Sequence, residues 1–419
     1  MKPRACLALG VACLVSAHVL ATLAWPQRPA AASQEYFPDE NLAEVFVELE
    51  PGEFAGTLML GGLRGLVTDL LWLRATGAKE AGRFYESVAL FQLISKVQPR
   101  FEQVWEFMAH DMAYNIAVEV GPEEKWGWFQ AGVDASLRGV LRNPRSARLL
   151  RFTAWMLHHK GETMMDRFER HDWSGQLNPV FERYPETVSL LATGSLGADV
   201  AGGVAVTLEQ GQLENGDVVL IFRGDEYLAE AVAAVNGASV LIRPTAGLPE
   251  QRDDLRVVRS SSNFEASARV YACSLAQSKR SGIRAYSYVR RLIALAMTKD
   301  GNRLRNRGLH RAALLRWLEA LDEWGEVLRW SIDPDNGQDE AAQARTFDSY
   351  QRNAGRLRRR AARLAEDLAG DILLGKATGL AILYGDNREA RRYLAFPGWN
   401  DRAVTSGVQW YDELVTGEQ

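Results

Sequence analysis

Residues 98–115 read QPRFEQVWEFMAHDMAYN, and residues 144–157 read PRSARLLRFTAWML. At a shift of 45 positions, Pro99, Arg100, Phe107 and Ala109 recur as Pro144, Arg145, Phe152 and Ala154, and Met112 falls opposite Leu157. Proline cannot continue a helix but suits its first turn, so each copy ends a connection and starts a helix. Phe101, Val104, Trp105, Met108, Met112 and Ile116 then follow the 3.6-residue period of one helical face. The preceding helices show the same habit, at Phe84, Val88, Phe91 and Ile94, and at Trp126, Phe129, Val133 and Leu137. Gly132, Ser136 and Gly139 form a small-residue strip where a neighbouring helix can approach closely. The pattern is an internal repeat of helical hairpins.

These units resemble the tetratricopeptide repeat, whose second helix closes on a proline with a small residue twelve positions earlier. Ser87 and Gly132 hold that place, and Ala75 fits a small site near the start of the first unit. ILYGDNREARRYL, residues 382–394, also resembles the turn of such a unit, with Ala390 at its small site. The spacing of 45 exceeds the 34 of that family and implies longer helices or loops. GGLRGLVTDLLWLRA (61–75) followed by QPRFEQVWEFMAHDMAYNI (98–116) is similar to a group of membrane-anchored bacterial proteins of this repeat type. That resemblance implies a fold and a location, and no activity.

The N-terminus agrees on location. Lys2 and Arg4 precede an uncharged run from Ala5 to Trp25, long enough for the ~30 Å hydrocarbon layer of a membrane. The basic end stays cytoplasmic, so the remainder is expected outside the inner membrane, in the periplasm. Ala30 and Ala32 offer a signal-peptidase site, in which case the body is secreted. The run is longer than an ordinary signal core, which favours the anchor. Cys13 follows too short an apolar stretch for a lipoprotein site. Of three cysteines only Cys273 lies beyond this segment, so no disulfide within the body is available, and its helical context gives it a packing role. A net charge of −4 over 419 residues selects no partner, and no nucleic acid is expected.

Between residues 189 and 260 the period changes. GGVAVTLEQ, DVVLIFRG, YLAEAVAAV, ASVLIRP and LRVVRS are short and rich in β-branched residues. Asn215-Gly216, Gly224-Asp225 and Asn236-Gly237 separate them as turn signals. Five strands predict a small barrel of SH3-like or OB-like type, with Arg223-Gly224-Asp225 as a tight turn. Further on, Leu314, Trp317, Leu321, Trp324 and Leu328 keep heptad spacing, which resumes from Phe347 and Tyr350 through Ala354, Leu357, Ala361, Leu364 and Leu368. This predicts an antiparallel coiled-coil hairpin. Its second arm carries Arg356, Arg358, Arg359, Arg360 and Arg363, and its first carries Glu319, Asp322, Glu323 and Glu326. Either the charges pair across the hairpin or stay solvated, or the arginines form a patch for anionic headgroups or an acidic partner.

No Walker loop, G-x-S-x-G, H-E-x-x-H or C-x-x-C motif is present. His110-Asp111, His158-His159 and His171-Asp172 resemble in residue type the HD-type metal phosphohydrolases, in which a metal activates water. Yet the repeat counterpart of His110 is Trp155, which suggests packing rather than ligation. No catalytic residue, metal or cofactor is assigned.

The expected architecture is mainly α. A membrane anchor or signal (1–25) and a linker (26–53) precede tetratricopeptide-like repeats (54–188). A small β-barrel insert (189–260) separates these from a second helical domain with the coiled-coil hairpin (261–400), and a tail follows (401–419). Stacked hairpins create a concave surface suited to peptides or helices. The expected function is an envelope scaffold or adaptor for protein partners, with Tyr114, Asn115, Trp128 and Trp155 lining the groove. A lipid- or carbohydrate-binding module is the alternative, and a metal-dependent hydrolase using the histidines is a third reading.

Overall fold

The two prolines that open the repeats also set the helix boundaries. In the computed structural model, Pro99 follows α2 (Phe84–Val97) and leads into α3 (Glu102–His110), while Pro144 separates α4 (Pro122–Arg142) from α5 (Ala147–Gly161). The structure describes residues 63–394, apart from 201–202, 215–216, 237–238, 245–246, 250–251, 253, 283–285, 334–338 and 369–371. The expected membrane segment and tail lie outside the described residues. Among the described residues, no helix is long and apolar enough to cross a membrane.

The fold is mainly helical with an inserted closed barrel. Helix α1 (Arg64–Glu80) precedes α2; α3 runs on through a π-helical segment, Asp111–Ile116, and a last turn, Ala117–Glu119. After α5 come the short α6 (Met165–Glu169) and α7 (Ser174–Phe181), then the barrel. Helices α8 (Asn263–Arg280), α9 (Tyr286–Asn306), α10 (His310–Ser331), α11 (Glu340–Leu368), α12 (Ile372–Tyr384) and α13 (Asn387–Leu394) complete the chain. Glu123 and Glu124 lie in the first turn of α4, where carboxylates complement the helix dipole.

The small-residue strip of α4 works as its spacing suggested. A Cβ on Gly132 would lie 2.8 Å from the Ala109 carbonyl oxygen and 2.9 Å from the Ala113 methyl carbon. A Cβ on Gly139 would lie 2.7 Å from the Trp105 Cβ. Glycine is what lets α3 and its π-helical continuation approach α4 this closely. Ser136 turns the other way and shares a 2.5 Å hydroxyl hydrogen bond with Thr153 of α5.

The barrel has six strands where sequence predicts five. β1 (Thr193–Val200), β2 (Gly203–Gln210), β3 (Val218–Arg223), β4 (Glu226–Asn236), β5 (Ser239–Pro244) and β6 (Leu255–Arg259) close in the order β1-β2-β5-β4-β3-β6, all neighbours antiparallel. The strand without a sequence signal is β1, TGSLGADV, which lacks a β-branched apolar run. Gly224-Asp225 forms the expected tight turn between β3 and β4, with Gly224 at φ +57. β4 ends at Asn236, which pairs with Ser239 of β5. Asn215-Gly216 does not mark a hairpin: the strands on either side, β2 and β3, are not neighbours. Because β1 pairs with β6, Thr193 opposite Val258, the chain enters and leaves the barrel at one place.

That closure lets the helices on either side of the barrel meet. The barrel and the helices flanking it belong to one compact unit beginning at Leu66. Across the insertion, α8 returns to α5 and shares the first helical core through Ala266, Val270, Tyr271 and Cys273. Ser274 donates to the Ala147 carbonyl at 2.8 Å, and the Asn263 amide reaches the His158 carbonyl at 3.2 Å. Cys273 is fully buried, and burial pushes its thiol up to about 12. A second core is built from α9 to α13, including Trp317, Leu321, Trp324, Leu357 and Ala361. Here α10 and α11 run antiparallel, since Trp324 meets Tyr350 while Trp317 lies under Arg360.

A buried ion network fixes the barrel against these helices. Glu265, in the first turn of α8, is 4% exposed and accepts from Arg259 of β6 at 2.8 Å, Arg269 at 2.9 Å and Arg316 of α10 at 3.2 Å. Burial disfavours its charged form, but the three guanidinium groups outweigh that and hold the carboxyl well below its ordinary range. Asp300 of α9 continues the network to Arg316 and Arg303, and accepts from Ser262, the N-cap of α8, at 2.5 Å. Replacing Glu265 by Ala leaves three cations facing one another and is expected to cost about 3–5 kcal/mol in urea unfolding. Breaking the exposed Arg280–Glu186 pair with Glu186→Gln should leave the urea midpoint nearly unchanged. Gly139→Ala, which drives a methyl group into Trp105, is expected to cost roughly 1–3 kcal/mol by the same measurement.

Candidate functional site

Four rings cluster with near-parallel planes across α3 and α5, with Tyr114 also 5.8 Å from His159 and His110 6.3 Å from Trp155. His110 stacks on Tyr114 with centroids 4.6 Å apart, Tyr114 on Trp155 at 5.2 Å, and Trp155 on His159 at 5.4 Å. Their planes agree within 12°. The Tyr114 hydroxyl also meets His159 Nδ1 at 3.2 Å. Position explains the arrangement. His110 and Tyr114 are one helical turn apart, as are Trp155 and His159, and each pair is the other shifted by the 45-residue repeat. Equivalent positions of the repeat therefore stand side by side in space.

The ladder is partly open to solvent. Trp155 is 37% exposed, and His159 is exposed. Tyr114 is half-buried, which raises its phenol well above its ordinary value. Burial, with Lys79 contributing, lowers the His110 imidazole against the opposing pull of Asp111. Lys160 caps the Tyr114 ring at 5.2 Å, and its ammonium is lowered by burial and by Lys125. The face thus offers flat apolar rings edged by imidazoles and an ammonium.

Two of the residues expected to line a groove are elsewhere. Asn115 turns inward and donates to Asp111 at 2.7 Å; Asp111 is buried and paired with Lys79. Trp128 is 8% exposed and packs against Tyr85 of α2 at 5.3 Å, so it is core rather than groove. The helical period alone could not separate Asn115 from Tyr114, because the π-helical segment shifts the phase of α3 at that point.

The remaining histidines disperse. His158 points away from His159, edge-on to Phe264 at 5.3 Å, with its Nδ1 buried and unpartnered. His171 packs against Trp173 at 4.6 Å. Asp172 caps Ser174 and pairs with Arg256 of β6 at 2.6 Å. Both aspartates of the His-Asp pairs thus serve structural ion pairs. Among the described residues, no three His, Cys, Asp or Glu side chains converge as metal ligands.

The arginine arm divides as well. Arg356, Arg359, Arg360 and Arg363 border a cleft of about 360 Å3 between α9, α10 and α11. Arg358 faces the other way, 2.9 Å from where a Cβ on Gly385 would sit. A larger cleft of about 610 Å3, where α6, β4, α8 and α9 meet, has self-neutralised walls. There Lys299 pairs with Glu162, Arg303 with Glu169, and Arg307 with Glu169 and Glu230.

No protein-family model, curated protein or solved structure matches the chain.

Burial, reinforced by Lys299, pushes His158 down from 6.5 to about 4. The folded state therefore holds it neutral while the unfolded chain takes up a proton. That contribution is complete above pH 6.5 and is lost as pH falls toward about 4. Between pH 7.5 and 4.5, wild-type protein should lose on the order of 2 kcal/mol more than His158→Phe, read from urea midpoints.

Proposed function

We propose that the protein is a scaffold of tetratricopeptide-like helical hairpins that holds protein partners in the bacterial envelope, through the His110–Tyr114–Trp155–His159 face. The carrying observation is the ring cluster itself: four stacked rings with near-parallel planes, in register with the sequence repeat, left partly open to solvent. Rings needed only for packing are buried, as Trp173, Phe129 and Trp317 are. Rigid aromatics concentrate binding energy because they bury much area and lose little rotamer entropy. A helical array presents them to an extended peptide or a helix. Ala5–Trp25, as anchor or signal, directs this body out of the cytoplasm, and the α10–α11 pair serves as the coiled-coil arm of the same scaffold.

The face is tested in cells with the full-length protein carrying a photo-cross-linking residue at Val118, an exposed position one turn beyond Tyr114. A discrete protein adduct is expected at Val118, and Tyr114→Ala with Trp155→Ala should reduce it at least ~10-fold while the protein still folds. The same adduct from a cross-linker at exposed Tyr384 on α12, or an adduct indifferent to the ladder, would overturn the assignment.

A further inference from the structure

The cleft beside α11 gathers four cationic side chains and no acidic one. Guanidinium groups lining one cleft repel one another, and protein surfaces ordinarily interleave carboxylates among them. The carboxylates exist, one helix away on α10, but each is committed elsewhere. Glu319 pairs with Arg316, Asp322 with Arg391, Glu323 with Arg290 and Glu326 with Arg329. The expected pairing across α10 and α11 does not occur. Among the described residues, no ion pair reaches Arg356, Arg359, Arg360 or Arg363. Arg356 meets only the Asn353 amide oxygen, at 2.6 Å, and Arg360 lies over the Trp317 ring at 5.2 Å. Burial and neighbouring Arg305 both lower Arg360, so the local field is positive beyond the cleft itself.

The walls narrow what fits. Thr298 already donates its hydroxyl to the Ala294 carbonyl at 2.7 Å, so the free donors are the guanidinium forks and the Asn353 amide nitrogen. Trp324 and Leu357, both buried, make an apolar floor. We propose that this cleft binds a phosphate-bearing anion, held by the guanidinium groups of Arg356, Arg359, Arg360 and Arg363 above the Trp324 floor. A phosphate group offers up to two charges and several acceptor oxygens to planar forks that bind it bidentately, where a carboxylate offers one charge. The volume of about 360 Å3 is at the small end of ligand sites and suits a phosphate ester or one lipid headgroup. The proposal is independent of the aromatic ladder on α3 and α5.

The test uses full-length protein and pyrophosphate as the probe, followed by calorimetry and thermal unfolding at constant ionic strength. Wild type should bind one pyrophosphate per chain with a rise in Tm. Arg359→Gln with Arg363→Gln should weaken binding at least ten-fold. Without pyrophosphate that variant should unfold no earlier than wild type, because a repulsion has been removed. Arg359→Lys with Arg363→Lys, keeping charge but not the fork, should fall between the two. Flotation with phosphatidylglycerol and phosphatidylcholine vesicles then identifies the source. A preference for phosphatidylglycerol lost in the glutamine variant assigns a lipid headgroup; equal flotation of both proteins, with pyrophosphate binding intact in wild type, assigns a soluble phosphate. Equal responses of wild type and the glutamine variant to pyrophosphate, or the same Tm rise with chloride at matched ionic strength, would overturn the site.

Discussion

The Glu265 carboxylate is the constraint on which the assembly turns. It sits in the first turn of α8, where the chain re-enters the helical array after the barrel, and gathers arginines from β6, α8 and α10. Hydrophobic burial is non-directional and would tolerate many orientations of a small barrel against a helical stack. A buried carboxylate that must satisfy three guanidinium groups tolerates few, since each lost partner leaves an uncompensated charge. The Ser262 cap and Asp300 extend the same demand into α9, so orientation and helix start are specified together.

Barrel closure makes such an insertion feasible. With β1 paired to β6, the two ends of the insert lie side by side, and α8 packs on α5. Asn178 of α7 secures the entry point: its side-chain oxygen accepts from the Leu191 backbone at 2.8 Å, and its amide donates to the Leu191 carbonyl at 3.0 Å. Gly211, at φ +72, closes β2 against Ala192, where a side chain would collide with backbone. On β3 and β6, Leu220, Phe222 and Val258 form a buried cluster separate from the barrel interior, so these strands are covered on both faces.

Against this background the two exposed features stand apart. The larger cleft settles its charges within the chain, and the largest aromatics of the two helical cores are buried. The ring ladder and the arginine cleft do neither. Each keeps unspent interaction capacity at the surface: stacking area in one, hydrogen-bond forks in the other.

Much of this was legible in the sequence because it depends on local period. The breaks at Pro99 and Pro144, which sit in the turns three residues before α3 and α5 begin rather than in their first turns, the close-approach strip of Gly132 and Gly139, the Gly224 turn and the buried heptad positions follow from backbone chemistry and helical geometry. The same 45-residue shift that aligns His110 with Trp155 in sequence stacks them in space. What sequence did not reveal depended on partners distant in the chain. β1 exists because β2 and β6 supply the pairing its own residues do not advertise. Trp128 is core because Tyr85 packs against it, and Asn115 turns inward because Asp111, held by Lys79, lies beneath it. The four arginines are left without carboxylates because Arg290, Arg316, Arg329 and Arg391 reach those of α10 first. Periodicity tells a side chain which face of its own element it occupies; only tertiary packing decides what meets it there.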